Sequence, residues 1–137
     1  MLPARLLLSV VALGFGLVPF VVDLSTSHAF NETWPPHARF HTVWLVGVLA
    51  GLALVMLVLT WRSRGESARA DVALAATLGW VAIVPFGLAA LAMPVYDGAL
   101  AGRGHEIAVF GLSSNLVGFS AGAAMLAAAT WLVVRRD

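Results

Sequence analysis

Two histidines, His37 and His41, lie four residues apart in the polar run 31–41 of an otherwise apolar chain. Pro35 and Pro36 favour a helix start there, because the N–H that proline lacks would be unpaired in the first helical turn anyway. We therefore predict a helix that begins at Pro35 or Pro36. In such a helix both imidazoles project from one face.

Acid–base catalysis is the first chemistry that this arrangement could support. Beside a carboxylate at a membrane boundary, desolvation disfavours the charged form of a histidine, whereas the negative charge favours it. The two effects are expected to balance, so that the ring can gain and lose a proton near neutral pH. General acid–base catalysis requires such groups. We predict His37 and His41 as the acid and base. Asp23 and Glu106 are predicted as carboxylates that orient them or accept protons.

Other side chains are predicted to contact the substrate: Trp34, Arg39, Trp44, Asn115, His28 and His105. Trp34 and Trp44 could stabilise a developing cation through their π faces, while Arg39 would hold a polar end. Asn115 lies about 10 Å inside the fourth apolar stretch. It is either the floor of a cavity or a hydrogen bond between helices.

Metal binding is an alternative, because histidines four apart on a helix suit a shared ion. The ligands would be nitrogen and oxygen atoms of His37, His41, Asp23 and His28, for zinc, iron, copper or a haem. No cofactor is favoured. Another alternative is a motif at the level of the lipid headgroups, where tryptophans anchor the interface and Arg39 meets phosphate without any catalysis.

Composition indicates the class of protein. Of 137 residues, 61% are apolar and 11% are charged, whereas soluble domains carry roughly 25% charged residues. The chain is therefore predicted to be an integral membrane protein. A net charge of +1 argues against a nucleic-acid partner, and the absence of cysteine excludes thiolate chemistry.

The apolar stretches predict one all-α domain, 1–137, with transmembrane helices at about 4–23, 36–60, 71–95 and 106–134. A cleaved signal peptide is the alternative for the first stretch. The helices are expected to form an up-down four-helix bundle, because only helices or closed barrels satisfy the backbone in lipid.

Arginine asymmetry predicts the orientation of the bundle. The side of the two termini would carry six arginines and the other side two, namely Arg5, Arg62, Arg64, Arg69, Arg135 and Arg136 against Arg39 and Arg103. Both termini are therefore predicted to be cytoplasmic, in a bacterial inner membrane. All four histidines then fall at the opposite end, where they are expected to converge on a common hollow.

Glycine and proline positions predict how the helices pack. The G-x-x-x-G motifs at 47–51 and 118–122 favour close helix contacts, because small residues let helices approach in lipid. Pro19, Pro85 and Pro94 fall toward the half that contains the histidines. Each frees a backbone carbonyl, so either a cavity or ordinary kinks are expected there.

The run Asn31-x-x-Trp-Pro-Pro-His-Ala-Arg-Phe-His41, preceded by Asp23 and His28, resembles a signature of small four-helix membrane proteins of unassigned function. The overall plan is similar to the DoxX-like and EXPERA-type membrane families. The EXPERA group includes sterol isomerases, which use His, Glu and Trp side chains inside a membrane cavity. This similarity of architecture implies a lipophilic substrate.

These observations predict a membrane-embedded enzyme with isomerase or cyclase chemistry on an isoprenoid, sterol-like or quinone-like molecule. Two alternatives are a metal- or haem-binding membrane protein and a non-catalytic accessory membrane subunit. The expected partners are the lipophilic molecule and membrane lipid. Association with further copies of the chain is left open.

Overall fold

The computed structural model describes residues 1–62, 64–65, 67–102 and 107–135. Within these ranges it contains four helices, α1 (Leu2–Asp23), α2 (Pro36–Arg62), α3 (Ser67–Tyr96) and α4 (Ser114–Val134), and a two-stranded antiparallel hairpin, β1 (Ala108–Val109) and β2 (Leu112–Ser113). All four helices are long and apolar enough to cross a membrane. The predicted all-helical, four-helix architecture is confirmed.

The fourth helix begins later than predicted. The expected span 106–134 is wrong at its start, because a hairpin occupies 108–113 and α4 begins at Ser114. Phe110 and Gly111 form the turn with φ of 52° and 78°, the left-handed conformation that two-residue hairpin turns require. The Ser114 N–H donates to the Ile107 carbonyl at 2.8 Å and links this hairpin to the helix.

The helices pack in chain order, with α4 against α1 and a further contact between α1 and α3. We call the end where α1 starts and α4 stops the terminal end. The opposite end, where α1 stops and α2 starts, is the histidine end. Trp61 Nε1 donates to Ser9 Oγ at 2.9 Å across the terminal end. The start of α2 at Pro36 agrees with the prediction from the two prolines.

The core lies almost wholly in the half next to the terminal end. Its buried side chains come from all four helices: Ala4, Leu8, Val11, Ala12, Phe15, Ala53, Met56, Leu59, Val72, Ala75, Ala76, Ala82, Ile83, Leu126, Ala129 and Val133. The histidine half comprises residues 17–52, 84–102 and 107–125. Among its described residues only Ala29 and Val46 are buried. We call this half loosely packed, in the sense that few of its described side chains are buried by other parts of the chain.

The G-x-x-x-G prediction is wrong at three of its four glycines. A Cβ added at Gly47, Gly51 or Gly118 would meet nothing within 4 Å, whereas one at Gly122 would lie 3.3 Å from Ile83 Cδ1. The first three lie in the loosely packed half, so no helix of this chain covers them. Close approach occurs instead at Gly16, where an added Cβ would overlap the Ala53 side chain.

Pro19, Pro85 and Pro94 all lie inside helices and within the histidine half. Each removes one backbone hydrogen bond from its helix, because proline has no N–H. The three losses fall where tertiary packing is also weakest. The sequence left open whether the prolines mark a cavity or ordinary kinks, and their position inside helices does not decide between the two.

Candidate functional site

The predicted functional residues of the described chain gather at and near the histidine end. Asp23 is the last residue of α1, His28 lies in the loop 24–35, and His37 and His41 occupy the first turns of α2. The short loop between α1 and α2 therefore brings all four side chains to the same end of the bundle. The structure agrees with their placement at one end, but it arranges these four side chains as two separate pairs instead of around the one common hollow that the sequence predicted.

Hydrogen bonds within the loop 24–35 hold its shape. The Ala29 N–H donates to the Asp23 carbonyl at 2.9 Å and closes the end of α1. Asn31 Oδ1 accepts from the N–H and the hydroxyl of Thr33, at 3.0 and 2.7 Å. Asparagine side chains commonly stabilise turns in this way. These hydrogen bonds fix the backbone of the loop that contains His28.

A chain of hydroxyl groups leads to the ring of His28. Ser25 Oγ donates to the Val22 carbonyl at 2.6 Å, Ser25 and Ser27 Oγ atoms are 2.7 Å apart, and Ser27 Oγ lies 2.8 Å from His28 Nδ1. A hydroxyl has one hydrogen to donate. Because Ser25 uses its own on Val22, Ser27 must donate to Ser25. His28 Nδ1 must then donate to Ser27, which leaves Nε2 as the basic nitrogen of the neutral ring.

Asp23 and Trp34 complete the surroundings of His28. Asp23 Oδ1 lies 3.8 Å from His28 Nδ1, and both side chains are about 30% exposed, at 30% and 29%. The carboxylate is close enough to attract a protonated ring through its charge. The Trp34 ring meets the imidazole edge-on, with centroids 5.3 Å apart and planes at 77°. The half-buried ring thus has Ser27 and Asp23 next to its Nδ1 atom and Trp34 against its edge.

His37 and His41 form a second and separate pair. Their Nε2 atoms are 3.0 Å apart and their rings lie at 89° to each other. One Nε2 must donate and the other accept, because both cannot carry a hydrogen in that contact. Both side chains are exposed. The His41 ring also lies 5.8 Å from the Trp44 ring, as the shared helix face predicted.

The remaining predicted residues are dispersed. Arg39 is half-buried on α2. The prediction for Asn115 is wrong in its depth and partner, because Asn115 is exposed on the first turn of α4 and donates to the Leu100 carbonyl of the preceding loop instead of to another helix. Glu106 and His105 lie outside the described residues. In the part of the chain that the structure describes, no three His, Asp or Glu side chains are grouped to hold a metal ion. The four-ligand set is therefore divided into two pairs, and the catalytic roles stay predictions.

Sequence reasoning missed Ser25 and Ser27, which orient His28. Their signal was present in the run Asp23-Leu-Ser-Thr-Ser-His28, which follows directly on an apolar helix. Serine hydroxyls commonly bond to nearby backbone and side-chain atoms just after a helix. The hydroxyl of a serine next to a histidine can therefore hydrogen-bond the Nδ1 atom of that ring, as Ser27 does with His28.

The fold and the two side-chain pairs define the class of protein. It is an all-helical protein with four helices apolar enough to cross a membrane, and it has the pairs His28–Asp23 and His37–His41 at one end. A family model matches residues 7–125. The chain therefore belongs to the family of unknown function DUF6640. The matched range contains Asp23, His28, His37 and His41. No curated protein and no solved structure matches the chain.

Proposed function

We propose that this protein is a multi-pass enzyme of the bacterial inner membrane that moves protons on a lipophilic small molecule at the histidine end. The reaction would be an isomerisation or cyclisation. Both termini would lie in the cytoplasm, since arginines are concentrated at the terminal end. The described ones there are Arg5, Arg62, Arg64, Arg69 and Arg135.

The observation that carries this proposal is the setting of His28. His28 Nδ1 donates a hydrogen bond to Ser27 Oγ, and Asp23 Oδ1 lies 3.8 Å from the same Nδ1 atom. A base whose ring is held by a second group is the usual arrangement for general acid–base catalysis. His28, which the sequence suggested as a substrate contact, is therefore our proposed base, with Asp23 as its carboxylate partner.

The loosely packed histidine half favours a lipophilic substrate. Leu91 and Val95 on α3 are 82% and 87% exposed, and most side chains around them are unburied. Exposed apolar side chains of this kind suit contact with apolar molecules, and we propose the isoprenoid, sterol-like and quinone-like classes as substrates. The similarity of plan to EXPERA-type proteins agrees with this class. The π face of Trp34 would stabilise positive charge that develops on the substrate.

The other predicted residues keep subsidiary roles in this proposal. His37 and His41 would exchange a second proton, because their Nε2 atoms already share a hydrogen bond. Arg39 would hold a polar end of the substrate and Trp44 would line its path. Glu106 and His105 are proposed as a further carboxylate and contact. Asn115 would order the loop before α4 through its bond to Leu100.

Deuterium exchange tests the proposal without knowledge of the product. Lipophilic molecules that co-purify with the protein in mild detergent are extracted, identified by mass spectrometry and returned to the protein in D2O. The wild type is expected to catalyse deuterium incorporation at an acidic carbon of one of them. His28→Gln is expected to slow this exchange by about 100-fold or more, because general acid–base groups contribute 10²–10⁴-fold.

Paired carboxylate variants provide the control. Asp23→Asn should slow the exchange, whereas Glu32→Gln, which changes an exposed carboxylate on the same loop, should leave it unchanged. Circular dichroism would show that each variant keeps its helices. Equal exchange in wild type and His28→Gln would remove His28 from the mechanism. Absence of exchange with every co-purified molecule would favour the accessory-subunit alternative.

A further inference from the structure

We propose that His37 and His41 together bind one divalent first-row transition ion, of the Cu²⁺, Ni²⁺ or Zn²⁺ class. The ion would lie between the two Nε2 atoms at the start of α2, with water or another small ligand at its remaining positions. This inference concerns only the His37–His41 pair. It stands independently of the base proposed at His28, but an ion bound to both Nε2 atoms would take the place of the second proton exchange suggested for this pair.

The separation of the two nitrogens fits a shared ion. The Nε2 atoms of His37 and His41 are 3.0 Å apart. Metal–imidazole bonds are about 2.0–2.1 Å long, so an ion bound to both nitrogens would subtend an angle of roughly 90–100°. That angle lies between the right angle of square-planar or octahedral sites and the tetrahedral angle. In the present hydrogen bond the two nitrogens point at each other, so chelation requires a rotation of the imidazole rings that aims both lone pairs at the ion.

Helix geometry keeps the pair in register. His37 and His41 are four residues apart on α2, so they stand one turn above each other on the same face. The helix is continuous from Pro36, and Thr42 Oγ1 donates to the Ala38 carbonyl at 3.1 Å within the same turns. Both imidazoles are exposed. An ion can thus approach without any rearrangement of the fold.

The donor set selects the class of ion. Two imidazole nitrogens favour Cu²⁺, Ni²⁺ and Zn²⁺ over Mg²⁺ and Ca²⁺, which prefer oxygen ligands. The first turn of α2 contains no acidic residue, and no larger group of His, Asp and Glu forms among the residues that the structure describes. A two-nitrogen site leaves several coordination positions open. It would therefore also accept an external ligand atom.

Metal titration of tag-free protein in detergent tests this proposal. Isothermal calorimetry with Zn²⁺ is expected to show one site per chain, and Cu²⁺ electron paramagnetic resonance is expected to show nitrogen ligands. His37→Ala and His41→Ala should each weaken the site by at least about tenfold, since each removes one ligand. His28→Ala should leave the affinity unchanged, because His28 belongs to the other pair.

A double variant that exchanges residues 41 and 42 shows whether binding depends on the spacing of the two histidines or only on their number. His41→Thr combined with Thr42→His keeps two histidines but places them five residues apart, roughly 140° around the helix. It should bind Zn²⁺ as weakly as His41→Ala, while circular dichroism shows an intact bundle. The proposal is overturned if the wild type binds no ion, if the swap keeps full affinity, or if His28→Ala weakens binding as much as His37→Ala.

Discussion

Gly16→Ala is expected to destabilise the bundle by about 1–3 kcal/mol, which is the usual range for overpacked cores. An added Cβ would overlap the Cβ of Ala53 and lie 3.5 Å from the Leu49 carbonyl. The Ala53 Cβ is fixed to the α2 backbone, so no rotamer change can remove the overlap. The two helices must move apart, in the half that contains most of the core.

Thermal unfolding in detergent, followed by circular dichroism, measures this loss. Gly14→Ala is the matched control, because a Cβ there would meet nothing within 4 Å. Ala53→Gly in the Gly16→Ala background removes the overlapping atom and should restore much of the stability, a coupling that a double-mutant cycle isolates. Equal melting temperatures for Gly16→Ala and Gly14→Ala would show that α1 and α2 do not approach closely here.

Arg69→Gln is expected to loosen the last turn of α4 and to cost about 1–2 kcal/mol. Arg69 Nε donates to the Val133 carbonyl at 2.7 Å, and its Nη2 donates to the Arg135 carbonyl. Carbonyls at a helix C-terminus lack partners within the helix, and a cation there also favours the helix dipole. Charged hydrogen bonds contribute about 1.5–3 kcal/mol, reduced here because the side chain is exposed.

Amide hydrogen exchange of the segment 130–135 measures the effect locally. Arg69→Lys should also speed exchange, because lysine cannot reach two carbonyls with a planar fork. Arg64→Gln changes an exposed arginine of the neighbouring loop and should leave exchange in this segment unchanged. Unaltered protection in Arg69→Gln would mean that the C-terminus of α4 is held by packing alone.

Helix number and approximate position could be predicted from the sequence, because long charge-free stretches leave few other structures open. Pro36 marked one helix start for a local reason, the missing N–H. The hairpin at 108–113 could not be predicted in the same way. Strands of two residues have no measurable period, and only the positive φ values of Phe110 and Gly111 reveal the turn.

The candidate site was only partly predictable for a related reason. Helical spacing determined that His37 and His41 share a face, and the structure confirms their contact. The pairing of His28 with Asp23 depends on an irregular loop, which no periodicity describes. The glycine motifs predicted close contacts but not their partners. Gly16, outside any such motif, makes the closest approach to another helix, and it lies in the half that contains most of the core.

The concentration of buried side chains in one half of the bundle bears on how the proposed substrate would reach His28. Side chains of all four helices interlock near the termini, whereas few are buried toward the other end. If the helix pair α1 and α2 moved away from the pair α3 and α4 at that end, few buried side chains would become exposed. For the lipophilic substrate proposed above, this predicts lateral entry from the surrounding lipid at the sparsely buried end, with the helices held together at the other end by the core.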